Sequence, residues 1–190
     1  MKFIELAEKR YSVRKYDSRP IERAVLDRCI EAARLAPSAV NAQPWHFVVA
    51  DEPETVRVLG RAASPSSTMN RFAHQAPVIA AVVVEKPNLI SQIGGFLKNR
   101  PFYLVDIGIA AEHFCLQAAE EGVGTCIIGW FDERSVRKTL NIPSSKRVAL
   151  LITLGYSDVA EPGPAERTKT SRKNRKSTGE MSSYNTYTKV

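Results

Sequence analysis

The sequence predicts an α+β protein, with a central sheet of about four or five strands covered by helices. Three observations lead there. Amphipathic helical patterns and short β-branched runs alternate along the chain, without the strict strand-helix-strand rhythm of a doubly wound sheet. The apolar fraction is 44% of 190 residues, enough for a sizeable core without disulfide support. After Tyr156 the composition turns to Pro, Gly, Ser, Thr, Lys and Arg, which separates a core, residues 1–155, from an extension, residues 156–190.

Each element follows from local pattern. Phe3, Leu6 and Ala7 stand at helical spacing and predict a short first helix. Pro20 suits a first helical position, and Ile21, Val25, Leu26, Cys29, Ile30 and Ala33 form one apolar stripe, so a helix is expected over 20–35. The stretch from Ala36 to Phe47 reads Ala-Pro-Ser-Ala-Val-Asn-Ala-Gln-Pro-Trp-His-Phe. Pro37 disfavours helix at Ala36, and Pro44 directs Gln43 toward an extended conformation. Small and amide-bearing residues between the prolines would let a flat ligand approach the backbone, and they also suit an ordinary connection.

Trp45 to Ala50 reads as a strand, Glu52 to Ala63 as a helix with Val56, Val58 and Leu59 inward, and Ser64 to Asn70 as a loop. Ala76 to Glu85 is a buried strand with four valines and an isoleucine. Lys86 to Pro101 has weak periodicity and is expected to be a mobile, partly helical cover. Phe102 to Glu121 is the longest helical pattern. Its Gly108, Ala110, Ala111, Ala118 and Ala119 suit a dimer contact or an ordinary buried helix about equally. Gly122-Val123-Gly124 is a turn, and Thr125 to Ile128 a short strand. Asp132 is placed to cap a helix over 133–140 that Pro143 ends, and Val148 to Leu154 is a strand closed by Gly155.

Composition excludes several classes. Cys29, Cys115 and Cys126 are far apart and lack zinc spacing, so buried thiols are expected; His46, His74 and His113 are equally scattered. No metal site and no catalytic side chain is assigned. The N-terminus lacks a secretory pattern and the longest apolar run is too short to span a bilayer, so a soluble, cytoplasmic protein with no membrane partner is expected. The net charge of +7 fits nucleic acid, an anionic cofactor or a solvated basic surface. Arg10, Ser12 and Arg14 alternate, which in an extended segment places two guanidiniums and a hydroxyl on one side, good chemistry for a phosphate. An exposed basic strand has the same spacing, and spacing alone favours it.

Four blocks together resemble the flavin-dependent nitroreductase family. They are Arg10-Tyr11-Ser12-Val13-Arg14-Lys15-Tyr16; Pro37 to Phe47; the stretch from Asp106 through Gly122-Val123-Gly124 to Gly129-Trp130-Phe131-Asp132; and Lys173-Asn174-Arg175-Lys176 with Glu180 and Tyr184-Asn185. The resemblance implies a nitroreductase-like fold with a mainly antiparallel central sheet. It also implies a homodimer with FMN at the interface and a C-terminal segment exchanged onto the partner subunit.

As implied ligands of FMN, Arg10, Lys173 and Arg175 hold the phosphate with Ser12 beside them, and Tyr11 belongs to the same block. Arg14 lies at the N1–C2=O edge, where reduction places negative charge. Pro37, Ser38, Ala39 and Asn41 come from the partner subunit, and the Gly129 N–H faces flavin N5 between Ile128 and Trp130. The implied reaction passes hydride from NADH or NADPH through FMN to a small electron-poor acceptor such as a nitroaromatic or quinone. The alternatives are a basic nucleic-acid-binding module and a flavin-binding protein without turnover; the resemblance implies no nucleic-acid partner.

Overall fold

The structure, a computed structural model, describes residues 1–66, 69–85, 101–157 and 175–187. The chain forms two compact units, Met1–Asp158 and Val159–Val190. The first contains α1 (Phe3–Lys9), α2 (Arg23–Arg34), a 3-10 turn (Ala39–Asn41), β1 (Trp45–Ala50), α3 (Pro53–Ala63) and a second 3-10 turn (Arg71–Gln75). It continues with β2 (Val78–Val84), α4 (Phe102–Glu120), β3 (Gly124–Ile128), α5 (Glu133–Thr139) and β4 (Val148–Gly155). The second unit contains α6 (Thr178–Met181), opened by a capping box between Ser177 and Glu180.

The four described strands form one antiparallel sheet in the order β1-β2-β4-β3. β2 is central, and six of its seven residues are buried. Its side chains alternate between two cores, as a pleated strand requires. Val78, Ala80 and Val82 join Leu26, Cys29, Ile107, Ala111 and Phe114 of α2 and α4 on one face. Ile79, Ala81 and Val83 join Val56, Leu59 and Val136 of α3 and α5 on the other. A strand covered on both faces reads as a continuous apolar run, which is the pattern of this segment. The β2–β4 register shifts between Val82 and Val83, so Val148 and Leu151 enter the same core although they stand three positions apart. Phe47 of β1 stacks on Phe114 of α4 with ring centroids 5.2 Å apart.

Three local expectations need correction. The second helix begins at Arg23, not Pro20, because Glu22 is extended (φ −61°, ψ 138°) and takes the N-cap position; Ile30, on the expected apolar stripe, is exposed. α5 ends before Pro143 acts: Asn141 turns left-handed (φ 52°) and the Ile142 N–H donates back to the Arg137 carbonyl. The turn Arg71–Gln75 was not anticipated. Asp132 caps α5 as expected, accepting from the Ser135 N–H at 3.1 Å. The segment 86–100 lies outside the described residues, and with it the expected cover. All three cysteines are buried, and burial pushes the Cys29 and Cys115 thiols up to about 12. No helix among the described residues is long and apolar enough to cross a membrane.

Candidate functional site

The segment from Arg10 to Asp17 leaves α1 and lies along the free edge of β3. Ser12 pairs with Thr125 in a parallel bridge, and the Val13 N–H donates to the Thr125 carbonyl at 2.9 Å. Further on, Tyr16 pairs with Ser157 and the Asp17 N–H donates to the Tyr156 carbonyl at 3.0 Å. Two glycines make room for this arm. Gly124 and Gly155 face each other across β3 and β4. A Cβ on Gly124 would stand 2.5 Å from Val13 Cγ2, and one on Gly155 would stand 2.7 Å from Tyr16 Cδ1. Val13 and Tyr16 therefore sink into a notch that any larger residue would fill. The Tyr16 hydroxyl completes the anchor, lying 2.8 Å from both the Val13 carbonyl and Thr153 Oγ1; burial pushes its phenol well up.

The polar residues of the arm divide accordingly. Arg10 and Ser12 are half-buried, Tyr11 packs against the α3–α5 core and Arg14 is exposed. Arg10 Nε stands 3.0 Å from Glu112 Oε1 of α4, yet it is buried and misaligned, so the ion pair supplies no directional hydrogen bond to that donor. Arg14 bonds the Ser12 carbonyl at 3.4 Å and lies 5.9 Å from the centroid of Phe72, within cation–π range.

β3 carries the arm at one end and Gly129 just beyond the other. Ile128 is buried, whereas Gly129 and Trp130 are exposed. A Cβ on Gly129 would meet nothing within 4 Å, so the backbone there opens onto free space. The loop is fixed from behind. Asn70, itself left-handed at φ 54°, donates its side-chain amide to the carbonyls of Ala63 and Trp130, both at 3.0 Å. The Asp132 N–H donates to the Ala62 carbonyl at 2.8 Å. The segment Asn70–Gln75 thus touches both halves of the site, because Gln75 also accepts from the Tyr16 N–H at 3.4 Å.

The proline-bracketed loop is strained. Val40, Asn41 and Gln43 all have positive φ, at 49°, 53° and 45°. A β-branched residue in this region is a genuine outlier. The expected extended Gln43 is therefore corrected. Its N–H is taken by Ser38 Oγ at 2.9 Å and its Nε2 by the Asn41 carbonyl and Oδ1, and this network overrides the preference that Pro44 imposes. Pro37 and Asn41 are exposed, and Ser38 and Ala39 half-buried. The Ala39 N–H donates to Asp106 Oδ1 of α4 at 3.2 Å.

In the first unit, then, the arm that bears Arg10, Tyr11, Ser12 and Arg14 pairs with β3, which ends at Ile128 just before Gly129 and Trp130, and Ala39 is tied to α4. Arg175 is exposed in the second unit; Lys173 lies outside the described residues. Sequence reasoning missed Asn70, Phe72 and the anchoring role of Asp106. Carboxylates amid the apolar pattern of α4, Asp106 and Glu112, were the visible anomaly.

These features define an α+β protein whose sheet edge carries a cation-rich arm and an open backbone end. The chain belongs to the nitroreductase family: the model of that family matches residues 7–156. The chain is accordingly an oxidoreductase. It is 29% identical over 193 residues to the Streptococcus pyogenes protein Spy0809, named as an NAD(P)H nitroreductase, with 88% of this chain and 95% of that one aligned. A nitroreductase family protein from Clostridium novyi superposes with a TM-score of 0.73 at 31% identity, covering 83% of this chain and 86% of that one. An FMN-dependent nitroreductase from Clostridium difficile superposes with a TM-score of 0.69 at 29% identity, covering 83% and 89%.

Proposed function

We propose that the protein is an FMN-dependent oxidoreductase that takes hydride from NADH or NADPH and delivers it to a small electron-poor acceptor, a nitroaromatic or quinone, in alternating half-reactions. The observation that carries the reading is Arg10: a half-buried guanidinium, ion-paired with Glu112 but with a buried Nε that makes no aligned hydrogen bond among the described residues, stands on the same strand edge as an open glycine backbone. A phosphate supplies the missing acceptors. The names of the Streptococcus and Clostridium difficile relatives support the donor and the cofactor.

The residues present fit FMN, which when bound supplies hydride acceptance and donation at N5. In this reading Arg10, Lys173 and Arg175 hold the phosphate and Ser12 adds a hydroxyl. Arg14 places a fixed cation at the ring edge that gains negative charge. The Gly129 N–H serves N5 between Ile128 and Trp130, which needs a bare backbone rather than a particular side chain. Pro37, Ser38, Ala39 and Asn41 line the ring of the other subunit. A homodimer is supported by the exposed Phe3 and Ile4 of α1, which packs on α4, and by the exposed Leu104 and Val105 of α4. The exposed Tyr184 and Tyr187 offer the C-terminal extension an apolar grip on a partner.

An absorbance spectrum followed by anaerobic titration tests the reading. The purified protein is yellow, heat releases FMN, NADH or NADPH bleaches the flavin, and a nitroaromatic or quinone restores the colour. Recovery of FAD overturns the cofactor assignment, and FMN that resists both nucleotides makes the protein a carrier. Replacing Lys173 and Arg175 by Ala removes two charge-assisted bonds and weakens FMN by roughly a hundredfold. The same change at Arg167 and Lys169 has little effect.

A further inference from the structure

We propose that Asp106 is the positioning residue of the proline-bracketed loop, holding it in the strained shape that meets the flavin ring. The proposal rests on the reading above for the identity of the loop's ligand. Residues in sparsely populated backbone regions persist only where the surroundings over-determine them. Here the bonds within the loop shape the turn: the Asn41 N–H to the Ser38 carbonyl, the Ala42 N–H to the Ala39 carbonyl, and the Gln43 amides to Ser38 and Asn41. These bonds do not tie the turn to the body of the protein. At its far end the Glu85 N–H donates to the Pro44 carbonyl, where β1 begins. At its start the tie shown among the described residues is the Ala39 N–H donating to Asp106 Oδ1.

Ser38 occupies the cap position but spends its hydroxyl on Gln43, so it offers no side-chain cap. The first N–H of the turn, that of Ala39, is taken instead by a carboxylate from another element. Asp106 is only 5% exposed, and its Oδ2 is buried with no hydrogen-bond partner among the described residues. A carboxylate with an empty buried oxygen is a poor choice for stabilising a helix packed on a core, where an apolar residue of similar size does better. What the side chain supplies that an apolar residue does not is an oxygen acceptor for the Ala39 N–H. The base is rigid, because α4 is a 19-residue helix packed against the sheet. The same helix bears Glu112, the partner of Arg10, so one element sets both the loop and the phosphate-facing guanidinium.

The test compares Asp106→Leu and Asp106→Asn with the parent, titrating each apoprotein with FMN and with riboflavin. Loss of the anchor acts at the ring, so Asp106→Leu weakens both flavins by the same factor, about tenfold or more. Asn keeps an acceptor for the Ala39 N–H, so Asp106→Asn stays within about threefold of the parent. A second readout needs no flavin: the Ala39 amide proton exchanges slowly in the parent and in Asp106→Asn, and quickly in Asp106→Leu. If Asp106→Leu does not fold, Ala39→Pro removes the donor from the loop side and carries the same flavin-binding expectation. Parent-like binding in the Leu variant overturns the proposal. So does a loss confined to FMN, which puts the effect at the phosphate, and so does an equal loss in Asp106→Asn, which makes charge rather than the bond the cause. A parent that binds neither flavin overturns the functional reading itself, and the proposal with it.

Discussion

Replacing Gly124 by Ala tests how the cation-bearing arm is seated. The new Cβ would lie 2.5, 2.9 and 3.0 Å from Val13 Cγ2, Cβ and Cγ1. Carbon atoms in ordinary contact stand about 3.5–4.0 Å apart, so the arm must lift from β3 by roughly 1 Å. Val13 cannot swing aside, because it is β-branched, buried and bonded through its N–H to Thr125. Overpacking of this kind costs about 1–3 kcal/mol, and losing the Val13 bond adds about 1 kcal/mol. Urea unfolding should therefore show a loss of about 2–4 kcal/mol in Gly124→Ala. In Gly124→Ala combined with Val13→Ala, the contacts with both γ-methyls are removed and the 2.9 Å approach to the residue 13 Cβ remains. The double variant should be at least about 1 kcal/mol more stable than the sum of the singles. On the functional reading, FMN affinity falls with Gly124→Ala and recovers in part in the double variant. Additivity within about 0.5 kcal/mol would refute the reasoning, since independent sites add in that way.

Further outcomes follow from other contacts. Val40→Asn should raise the thermal midpoint, because relieving a β-branched residue of a left-handed conformation gains about 1 kcal/mol and Val40 is largely exposed; a lower midpoint would refute the strain. Asn70→Asp removes the donors to Ala63 and Trp130, so it should cost about 1–2 kcal/mol and speed amide exchange over Gly129–Asp132, as hydrogen-exchange mass spectrometry would show. Stability should decline on the alkaline side. Cys29 and Cys115 keep their protons in the fold up to about pH 12 but lose them near pH 9 when unfolded. The unfolded chain then binds fewer protons than the native one, and stability drops as pH rises through that window. Denaturant midpoints measured from pH 8 to 11 should fall, and Cys29→Ala should reduce the slope; a flat profile would contradict the burial assigned to both thiols.

Much of the fold was legible because its signals are local. The β-branched run of β2, the long apolar pattern of α4 and the Asp132 cap are each set within a few residues of sequence. The departures occur where a neighbouring group outcompetes the expected preference or where a distant contact decides. Gln43 left its extended preference because Ser38 and Asn41 bind its amides, and α2 began late because Glu22 rather than Pro20 took the cap position. Arg71–Gln75 has no apolar period to read, and the structure shows it bracing the arm through Phe72 and Gln75. At the candidate site the cations and the open glycine could be named from their motif, whereas Asp106 and Asn70 could not. Their roles depend on contacts 67 and 60 residues away in sequence, which no periodicity encodes.

The arm also bears on the order in which the protein can be made. Val13 and Asp17 bond carbonyls of Thr125 and Tyr156, so this segment is synthesised more than a hundred residues before the groups that hold it. Until β3 and β4 pair, the notch at Gly124 and Gly155 does not exist and Val13 and Tyr16 have nowhere to settle. Helix α2 can fold meanwhile on local contacts, but closing a loop of this length is an expense met only when the sheet is complete. The cation block is therefore assembled only after β3 and β4 have been made. A truncated nascent chain that stops short of β4 carries every residue of that block and still lacks the surface that organises it.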